Sequence, residues 1–353
     1  MAELTKEQIL EALRAVVIPQ VERDIVSMGI VRDVAYCDGI AAFNLVLPPP
    51  LAIFKEPLLE QAKRTLLKVP EIKKVNAKAE VATPKAPEKL PLPGIKNIIA
   101  VSSGKGGVGK STVAVNIAVA LAQQGFRVGL MDSDVYGPNV PIMMGVTGTP
   151  RTANNKVLPI MAHGVKVMSI GIIQPGEKPV VWRGPMLHGV VKQFLQDVEW
   201  GQLDYLLVDM PPGTGDVQLS LAQIVPVTGA ILVTTPQEVS MSDVRKATNM
   251  FLQVQVPIIG IVENMSYFLC PTCSEKHEIF GHGGGATLAR HFNVPFLGEV
   301  PLSLGIREGG DEGLPVVAGA PDSPQAQAFK QITANVIQEI RQIAAPLPTI
   351  GVK

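Results

Sequence analysis

From residue 95 onward, short apolar runs alternate with longer segments of helical periodicity. The runs are rich in Val, Ile and Leu, and their apolar residues are consecutive rather than alternating; they include NIIAVSS, RVGLMDSD, YLLVDMPP, GAILVTTP and PIIGIVEN. Strands buried on both faces of a parallel sheet have this composition. The pattern therefore predicts an α/β fold, in which a doubly wound, mostly parallel sheet is covered by helices on both faces.

The first 77 residues predict a separate, small α/β domain. Thr5 and Gln8 form a capping-box pattern ahead of apolar residues spaced for one helix face. The stretch IVRDVAYCDGIAAFNLVL predicts two strands joined by a turn at Asp38-Gly39, and EPLLEQAKRTLLKV predicts a second helix. This domain precedes the larger α/β domain in the chain.

A proline-rich segment separates the two predicted domains. Residues 78–94 contain four prolines among charged residues and alanines. Such a composition favours an extended, semi-rigid linker. We therefore assign residues 1–77 to the small domain, 78–94 to the linker and 95–353 to the larger domain.

Composition and charge restrict the partners of the protein. The chain is 46% apolar, and its 31 basic residues balance 31 acidic residues, so the net charge is zero. A neutral chain has no overall basic field with which to hold nucleic acid or an anionic membrane. The amphipathic, acidic N-terminus is unlike a signal peptide, and the sequence lacks an apolar run of about 18 residues. We expect a cytoplasmic protein with neither nucleic acid nor membrane as a partner.

The stretch GKGGVGKST predicts a phosphate-binding loop. Gly104, Gly109, Lys110 and Ser111 satisfy the pattern G-x-x-x-x-G-K-[ST], with a predicted strand before it and a helix after it. In such a loop, glycines allow backbone N–H groups to point at phosphates, the lysine neutralises the β and γ oxygens, and the hydroxyl binds Mg²⁺. The sequence therefore predicts ATP and Mg²⁺ as ligands. The predicted nucleotide-binding residues in the loop are Gly104, Lys105, Gly106, Gly107, Val108, Gly109, Lys110, Ser111 and Thr112.

Three aspartates follow predicted strands and add carboxylates to this site. Asp209 ends one strand, and Asp132 and Asp134 end another. Carboxylates at the C-terminal ends of parallel strands point into the ligand crevice. We assign Asp209 and Asp132 to Mg²⁺ and Asp134 to the alignment or deprotonation of the attacking water. The alternative for each aspartate is a structural role in a turn or N-cap.

Two of the three cysteines, Cys270 and Cys273, form a C-x-x-C pair. Four interpretations are open: a Zn²⁺ site completed by His277 and His282, a redox dithiol, an iron–sulfur cluster shared between subunits, or unliganded thiols. A [4Fe–4S] cluster needs four thiolates, which a two-fold dimer would supply from two identical pairs. The remaining cysteine, Cys37, lies in the other predicted domain, and we assign it no ligand role.

The loop SGKGGVGKST, with a lysine directly after its first glycine, resembles the deviant phosphate loop of the MinD/ParA class of ATPases. In that class this early lysine crosses a dimer interface to the nucleotide of the partner subunit. Lys105 matches its position. The resemblance implies a homodimer in which Lys105 takes part in catalysis together with Lys110 and Asp134.

A longer set of motifs resembles the Mrp/ApbC family, P-loop ATPases implicated in carrying iron–sulfur clusters to apo-proteins. Residues 1–75 resemble the small PaaD-like domain often fused to bacterial members, although some of those domains have a cysteine where this chain reads NLVLPPPLAIFKE. The resemblance implies that Cys270 and Cys273 are the cluster ligands and that Asn264 reads the adenine. The motifs are GKGGVGKST, MDSDVYGPNVP, DYLLVDMPPGTGD, TTPQEVSMSDVRK, VENMSYFLCPTC, FGHGGG and PFLGEVPLSLGIREGGDEG.

Together these features predict a homodimer that binds ATP, hydrolyses it weakly and carries a cluster at the dimer interface. The cluster would come from an assembly scaffold and pass to apo iron–sulfur proteins. Two alternatives stay open at this point. One is a MinD/ParA-like positioning ATPase, and the other is an ATPase module stabilised by Zn²⁺ at Cys270, Cys273, His277 and His282.

Overall fold

The computed structural model describes residues 4–18, 23–47, 51, 54–81, 92–134, 137–173, 184–215, 218–219, 222, 225–270, 272–273 and 275–344. The chain separates into two compact units, Met1–Ala86 and Pro87–Lys353.

The N-terminal unit combines two helices with a three-stranded sheet. Its helices and strands are α1 (Lys6–Leu13), β1 (Val17–Ile18), β2 (Arg23–Asp24), β3 (Val31–Cys37), β4 (Ile40–Leu47), α2 (Lys55–Leu66) and β5 (Lys74–Val81). Strands β3 and β4 are antiparallel, and β5 runs parallel to β4. Apolar side chains of both helices and of the sheet, Phe43 and Leu58 among them, form the core of this unit.

Two local sequence signals of this unit are confirmed. At the start of α1, Thr5 Oγ1 accepts a hydrogen bond from the backbone N–H of Gln8, and the Gln8 side chain accepts one from the backbone N–H of Thr5. Between β3 and β4, Asp38 and Gly39 have φ angles of 49° and 81°. Two consecutive positive φ angles are the requirement of the tight hairpin turn that the Asp-Gly pair predicts. Strand β5 continues to Val81, four residues into the segment assigned to the linker, because its backbone pairs with β4; residues 82–91 lie outside the described ranges.

The C-terminal unit alternates strands and helices. Its strands are β6 (Ile95–Ser103), β7 (Val128–Asp132), β8 (Thr152–Ala153), β9 (Lys156–Val157), β10 (Ile160–Ala162), β11 (Val165–Ser169), β12 (Leu203–Asp209), β13 (Gly229–Thr234), β14 (Ile258–Glu263), β15 (Phe268–Leu269), β16 (Lys276–His277) and β17 (Phe296–Glu299). Its helices are α3 (Lys110–Gln123), α4 (Val140–Met143), α5 (Ile170–Ile173), α6 (Gly184–Asp197), α7 (Glu238–Gln253), α8 (Gly284–Phe292), α9 (Leu304–Asp311), α10 (Val316–Gly319) and α11 (Pro324–Ala344). No helix among the described ranges is long and apolar enough to span a membrane.

Eight of these strands form one sheet in the order β10-β11-β7-β12-β6-β13-β14-β17. Only the edge pair β10–β11 is antiparallel, and the other neighbours are parallel. The chain places β12 and β7 on one side of β6 and β13 and β14 on the other. The order therefore reverses beside β6, and ligands of doubly wound folds bind outside the carboxyl ends of the strands at such a point.

Both faces of the large sheet are buried, which explains the continuous apolar runs of its strands. In β6, Ile99 and Val101 pack with residues of α3 and α11, whereas Ile98 and Ala100 pack with residues of α6, α7 and α8. A strand covered on both sides has apolar residues at successive positions rather than at alternate ones. The predicted doubly wound α/β fold is confirmed.

Candidate nucleotide site and cysteine hairpin

The loop between β6 and α3 depends on its glycines. Gly107 and Gly109 have φ angles of 80° and 79°, a region that residues with a Cβ rarely adopt. A Cβ on Gly109 would clash with the side-chain amide of Asn264, and a Cβ on Gly104 would clash with the backbone of Asp243 in α7. The loop therefore packs closely against Asn264, which follows β14, and against the backbone of α7.

A cavity of about 520 Å³ opens at this loop. Its volume falls in the range of small-molecule sites. The phosphate loop and the ends of neighbouring strands line it, as do Met265 after β14, Leu302 after β17, and Ile306 and Arg307 of α9. Eight of the predicted site residues in the loop and at the end of β7 line the cavity: Lys105, Gly106, Gly107, Gly109, Lys110, Ser111, Thr112 and Asp134.

Lys110, Ser111 and Asp209 form a buried polar group at the start of α3. The Lys110 ammonium lies 2.7 Å from Asp209 Oδ1, and the Ser111 hydroxyl donates to Asp209 Oδ2 at 2.6 Å. Asp209 is fully buried, and the Lys110 side chain is only 6% exposed. A buried carboxylate needs such partners, since an unpaired charge is costly away from water. The structure thus brings Asp209 into contact with two predicted site residues, Lys110 and Ser111, that lie 99 and 98 positions earlier in the chain.

Asp132 and Asp134 lie beside this group but have different surroundings. Asp132, in register with Asp209 on the adjacent strand, is fully buried, and its carboxylate accepts hydrogen bonds from the Asp134 backbone and the Ser169 hydroxyl, each at 3.0 Å. Burial, and secondarily the charge of Asp209, raises the pKa of Asp132 to about 8. The Asp134 carboxylate lies 3.9 Å from the Lys110 ammonium and lines the cavity. Asp132 therefore supports the turn that carries Asp134, and its role towards Mg²⁺ stays a prediction.

Asn264 connects the end of β14 to the phosphate loop. Its side-chain amide donates to the carbonyl of Val108 at 2.8 Å, and its backbone N–H donates to the carbonyl of Thr234. The residue is almost fully buried and lines the cavity. These contacts connect the phosphate loop to the ends of β13 and β14. Adenine reading by Asn264 stays a prediction.

Lys105 differs from Lys110 in its surroundings. Its carbonyl accepts a hydrogen bond from the Ser103 hydroxyl at 2.9 Å, and the residue lines the cavity while staying partly exposed. Among the ion pairs of the described residues none involves Lys105, whereas Lys110 pairs with two aspartates. The loop therefore contains one lysine paired with aspartates of its own chain and one without an ion-pair partner among the described residues.

Cys270 and Cys273 lie in the loop of a short hairpin. Strands β15 and β16 pair antiparallel, Phe268 with His277 and Leu269 with Lys276. The hairpin closes with a hydrogen bond from the Cys270 backbone N–H to the carbonyl of Glu275, at 3.0 Å. Cys273 is exposed and Cys270 half-buried. Both thiols are therefore presented near the surface by a local element.

The backbone of this hairpin favours the thiolate of Cys270. The N–H groups of Cys273 and Thr272, in that order, and then the thiol of Cys273 lower the pKa of the Cys270 thiol. Thiolates, not thiols, bind metals. The hairpin therefore presents a thiol prepared for metal ligation, with a second thiol hydrogen-bonded to it.

The two histidines of the zinc alternative lie in different environments. His277 is exposed in β16, with Glu275 at 3.8 Å. His282 Nδ1 lies 3.1 Å from the Ser266 hydroxyl and 3.5 Å from Glu299. Throughout the described ranges, the only cluster of three or more potential metal-ligating side chains is Glu263, His282 and Glu299. The structure thus does not gather the cysteines with the histidines into one four-ligand site.

Sequence reasoning missed much of the cavity wall. Met265, Leu302, Ile306 and Arg307 line the cavity, yet no motif marked their individual positions. They follow β14 and β17, two strands whose carboxyl ends meet the same edge of the sheet as the phosphate loop. The predicted parallel strands could have indicated these residues, because residues that directly follow parallel strands border the same crevice.

Two family models match the two units of the chain. Residues 94–337 match the ParA family, described as NUBPL iron-transfer P-loop NTPase. Residues 6–79 match a family described as iron–sulfur cluster assembly protein. These matches agree with the motifs of the P-loop unit and with the separate small domain.

Relatives and solved structures extend the likeness. An iron–sulfur cluster carrier protein of Synechocystis sp. is 47% identical over 350 residues, which cover 97% of this chain and 99% of that protein. A nucleotide-binding protein of Archaeoglobus fulgidus, solved with ADP, is 39% identical in sequence, and its structure superposes with a TM-score of 0.60. The match covers 67% of this chain and 93% of the Archaeoglobus chain. The septum site-determining protein MinD of Pyrococcus horikoshii, solved with Mg-ADP, is 26% identical with a TM-score of 0.53 over 71% of this chain and all of its own.

The expected resemblance to P-loop iron–sulfur carriers is confirmed. The family model spans more than half of the chain, and the match to the Synechocystis protein runs nearly end to end. The chain therefore belongs to the family of NUBPL iron-transfer P-loop NTPases.

Proposed function

We propose that this protein is an ATP-dependent iron–sulfur cluster carrier that holds the cluster between two copies of the chain. The observation that carries the proposal is the hairpin, which presents Cys270 and Cys273 together and lowers the pKa of the first thiol. One hairpin supplies two of the four thiolates that a [4Fe–4S] cluster needs, and a second copy related by a two-fold axis supplies the other two. The cluster is cargo, received from an assembly scaffold and passed to apo-proteins in the cytoplasm.

A direct connection between the nucleotide cavity and the hairpin supports the dependence on ATP. Asn264 and Met265 line the cavity, and the chain reaches Cys270 five residues after Met265. The backbone N–H of Leu302, another lining residue, donates to the carbonyl of Tyr267 at 2.7 Å. A movement of the cavity wall on nucleotide binding would therefore pass directly to Tyr267, which precedes the strand that leads to Cys270.

The proposed hydrolysis uses the buried polar group at the start of α3. Ser111 and Asp209, with Asp132 on the adjacent strand, would hold Mg²⁺, because hydroxyl and carboxylate oxygens are the ligands it prefers. The fit is supported by the Lys110 ammonium, a cation that already lies against Asp209. When bound, Mg²⁺ neutralises charge on the phosphate oxygens. Lys110 adds positive charge at the β and γ oxygens, and Asp134 aligns the attacking water and accepts its proton.

Lys105 gives the second argument for a dimer. Its ammonium lies at the cavity without an ion-pair partner among the described residues, so it is available to a nucleotide of another subunit. A cation that reaches the transferred phosphoryl group stabilises the charge that develops there. We propose that Lys105 takes this role in the ATP-bound dimer.

Anaerobic reconstitution with iron and sulfide tests the carrier function. The purified full chain should take up about four iron and four sulfide per dimer. Cys270→Ala should abolish that uptake, whereas Cys37→Ala, an exposed cysteine in the other unit, should leave it unchanged. A Cys270→Ala dimer that keeps a full cluster would rule out the bridging arrangement.

A further inference from the structure

A buried carboxylate organises a second polar cluster, outside the phosphate loop. Glu263 ends β14 and is fully buried. Its carboxylate accepts hydrogen bonds from the backbone N–H groups of Gly283 at 3.1 Å and Gly285 at 2.5 Å, at the start of α8. These contacts fix the orientation of the carboxylate. One of its oxygens, Oε1, also faces three polar side chains from other parts of the unit.

Ser266, His282 and Glu299 converge on that oxygen. The Ser266 hydroxyl lies 2.6 Å from Glu263 Oε1, 2.9 Å from Glu299 Oε2 and 3.1 Å from His282 Nδ1. His282 Nδ1 lies 3.5 Å from Glu299 Oε2 and 3.9 Å from Glu263 Oε1. One ligand atom from each of Glu263, His282 and Glu299 therefore lies within 4.8 Å of the other two.

At most two side-chain protons, from Ser266 and His282, lie between the two carboxylates of the cluster. A serine hydroxyl has one proton, so Ser266 can donate to only one of the two carboxylates that contact it. His282 Nδ1 contributes at most one more proton. Lys276 contacts the other oxygen of Glu299, at 3.5 Å, and its side chain is 41% exposed. Two carboxylates and an imidazole thus surround the Ser266 hydroxyl, and Lys276 is the only lysine or arginine that pairs with them in the described part of the chain.

We propose that Glu263, His282 and Glu299 form a binding site for a divalent first-row transition-metal ion. An imidazole nitrogen with carboxylate oxygens suits ions such as Zn²⁺, Fe²⁺ and Co²⁺. Ligand atoms about 2.0–2.2 Å from such an ion lie about 3–3.5 Å from one another. The distances of 3.5 and 3.9 Å from Nδ1 to the two oxygens lie at or just above that range, and all three ligand atoms lie within 4.8 Å of one another.

The exposure of the three side chains suits an ion that enters from solvent. Glu263 is fully buried and supplies a fixed anchor, whereas the side chains of His282 and Glu299 are 35% and 33% exposed. The backbone amides that orient Glu263 act as outer partners of a ligand, a common feature of metal sites.

The cluster contacts both functional elements of the unit. Glu263 directly precedes Asn264, which lines the nucleotide cavity, and Glu299 contacts Lys276 of the cysteine hairpin. The ligand set is nevertheless separate from Cys270 and Cys273. The proposed site therefore does not depend on the carrier function, and it can be tested in a chain that has no thiol.

Titration with Co²⁺ alone tests the site. The full chain with Cys37, Cys270 and Cys273 replaced by serine, free of nucleotide and affinity tag, is titrated by calorimetry and visible absorption. About one Co²⁺ per chain is expected. In this background His282→Gln and Glu299→Gln should each weaken binding at least tenfold, and the matched control His277→Gln, on an exposed histidine of the same segment, should not change it.

The melting temperature supplies an independent measurement of the same site. Co²⁺ should raise it in the cysteine-free parent and in His277→Gln, but not in His282→Gln. The proposal is overturned if the parent binds no Co²⁺, which would leave a proton as the bridge between the groups. It is equally overturned if His282→Gln binds as tightly as the parent, or if His277→Gln weakens binding as much as His282→Gln.

Discussion

The nucleotide site and the cysteine hairpin are built in opposite ways. The nucleotide site collects buried side chains from distant parts of the chain, such as Lys110 and Asp209, which satisfy one another by direct contact. The hairpin is local, exposed and closed by two strands of two residues each. The buried charges of the first site are paired within one chain, whereas the second presents two thiols where a cluster needs four.

This difference indicates which of the two sites needs groups from a second molecule. A buried charged group must be paired by its own fold, because an unpaired charge there costs several kcal/mol. A surface thiol pair has no such requirement, so its missing ligands can come from another molecule. Lys105 lines the cavity and has no ion pair with any residue in the described ranges, so in this respect it resembles the hairpin rather than the rest of its loop.

The largest effect is expected from Asp134→Ala. Loss of a general base lowers the rate by about 10²- to 10⁴-fold, whereas ATP affinity should change by about twofold or less, because Lys110 and the loop backbone remain. Rates of phosphate release and equilibrium ATP binding, measured on the same preparation, separate the two effects. An equal loss of binding and hydrolysis would instead indicate that Asp134 is structural.

Lys110→Ala should weaken ATP binding by about a hundredfold. The lysine is the buried cation of the loop, and a charged hydrogen bond to phosphate contributes about 3 kcal/mol at most. The melting temperature should fall as well, since Asp209 loses its cation. Nucleotide-free cluster uptake at the hairpin should be retained. A variant that loses nucleotide-free cluster uptake together with ATP binding, while remaining folded by circular dichroism, would show that the hairpin needs Lys110 even in the absence of nucleotide.

Gly109→Ala should destabilise the chain more than Gly148→Ala. Both glycines have positive φ angles, 79° and 88°, and forcing alanine into that region costs about 1–2 kcal/mol. Gly148 has open space around the added Cβ, whereas Gly109 would also clash with Asn264. The melting temperatures should fall in both variants, with the larger fall in Gly109→Ala, which should also bind ATP less tightly. Equal falls would show that the contact with Asn264 relaxes freely.

The same contrast explains how much of the molecule could be predicted from the sequence. The phosphate loop, the Asp-Gly turn and the capping box are each short, continuous stretches of sequence. Their backbone geometry allows only a few residue types, so the sequence alone predicted them. The mostly parallel sheet also followed from the buried apolar runs, whereas the order of its strands came only from the structure. The Glu263–Ser266–His282–Glu299 cluster unites residues from three separate stretches. Of these residues the sequence marked only His282 as a possible metal ligand, and it did so together with the cysteines. These residues meet only because of the register of the strands and the position of the start of α8. A local sequence pattern predicts neither of these features.

The smallest effect on nucleotide affinity is expected from Lys105→Ala. Its ammonium makes no ion pair among the described residues, so a single chain should bind ATP within about twofold of the parent and melt at the same temperature. Hydrolysis should fall, and so should the fraction of dimer formed with ATP, because the cation that reaches the partner's nucleotide is lost. Sedimentation with ATP and with ADP measures the second effect. Lys246→Ala, an exposed lysine paired with Asp243, is the matched control and should leave both unchanged. If Lys105→Ala weakens binding to the monomer as strongly as Lys110→Ala does, then Lys105 acts within its own subunit. The two lysines would in that case belong to one self-contained site, and the hairpin alone would require a second chain.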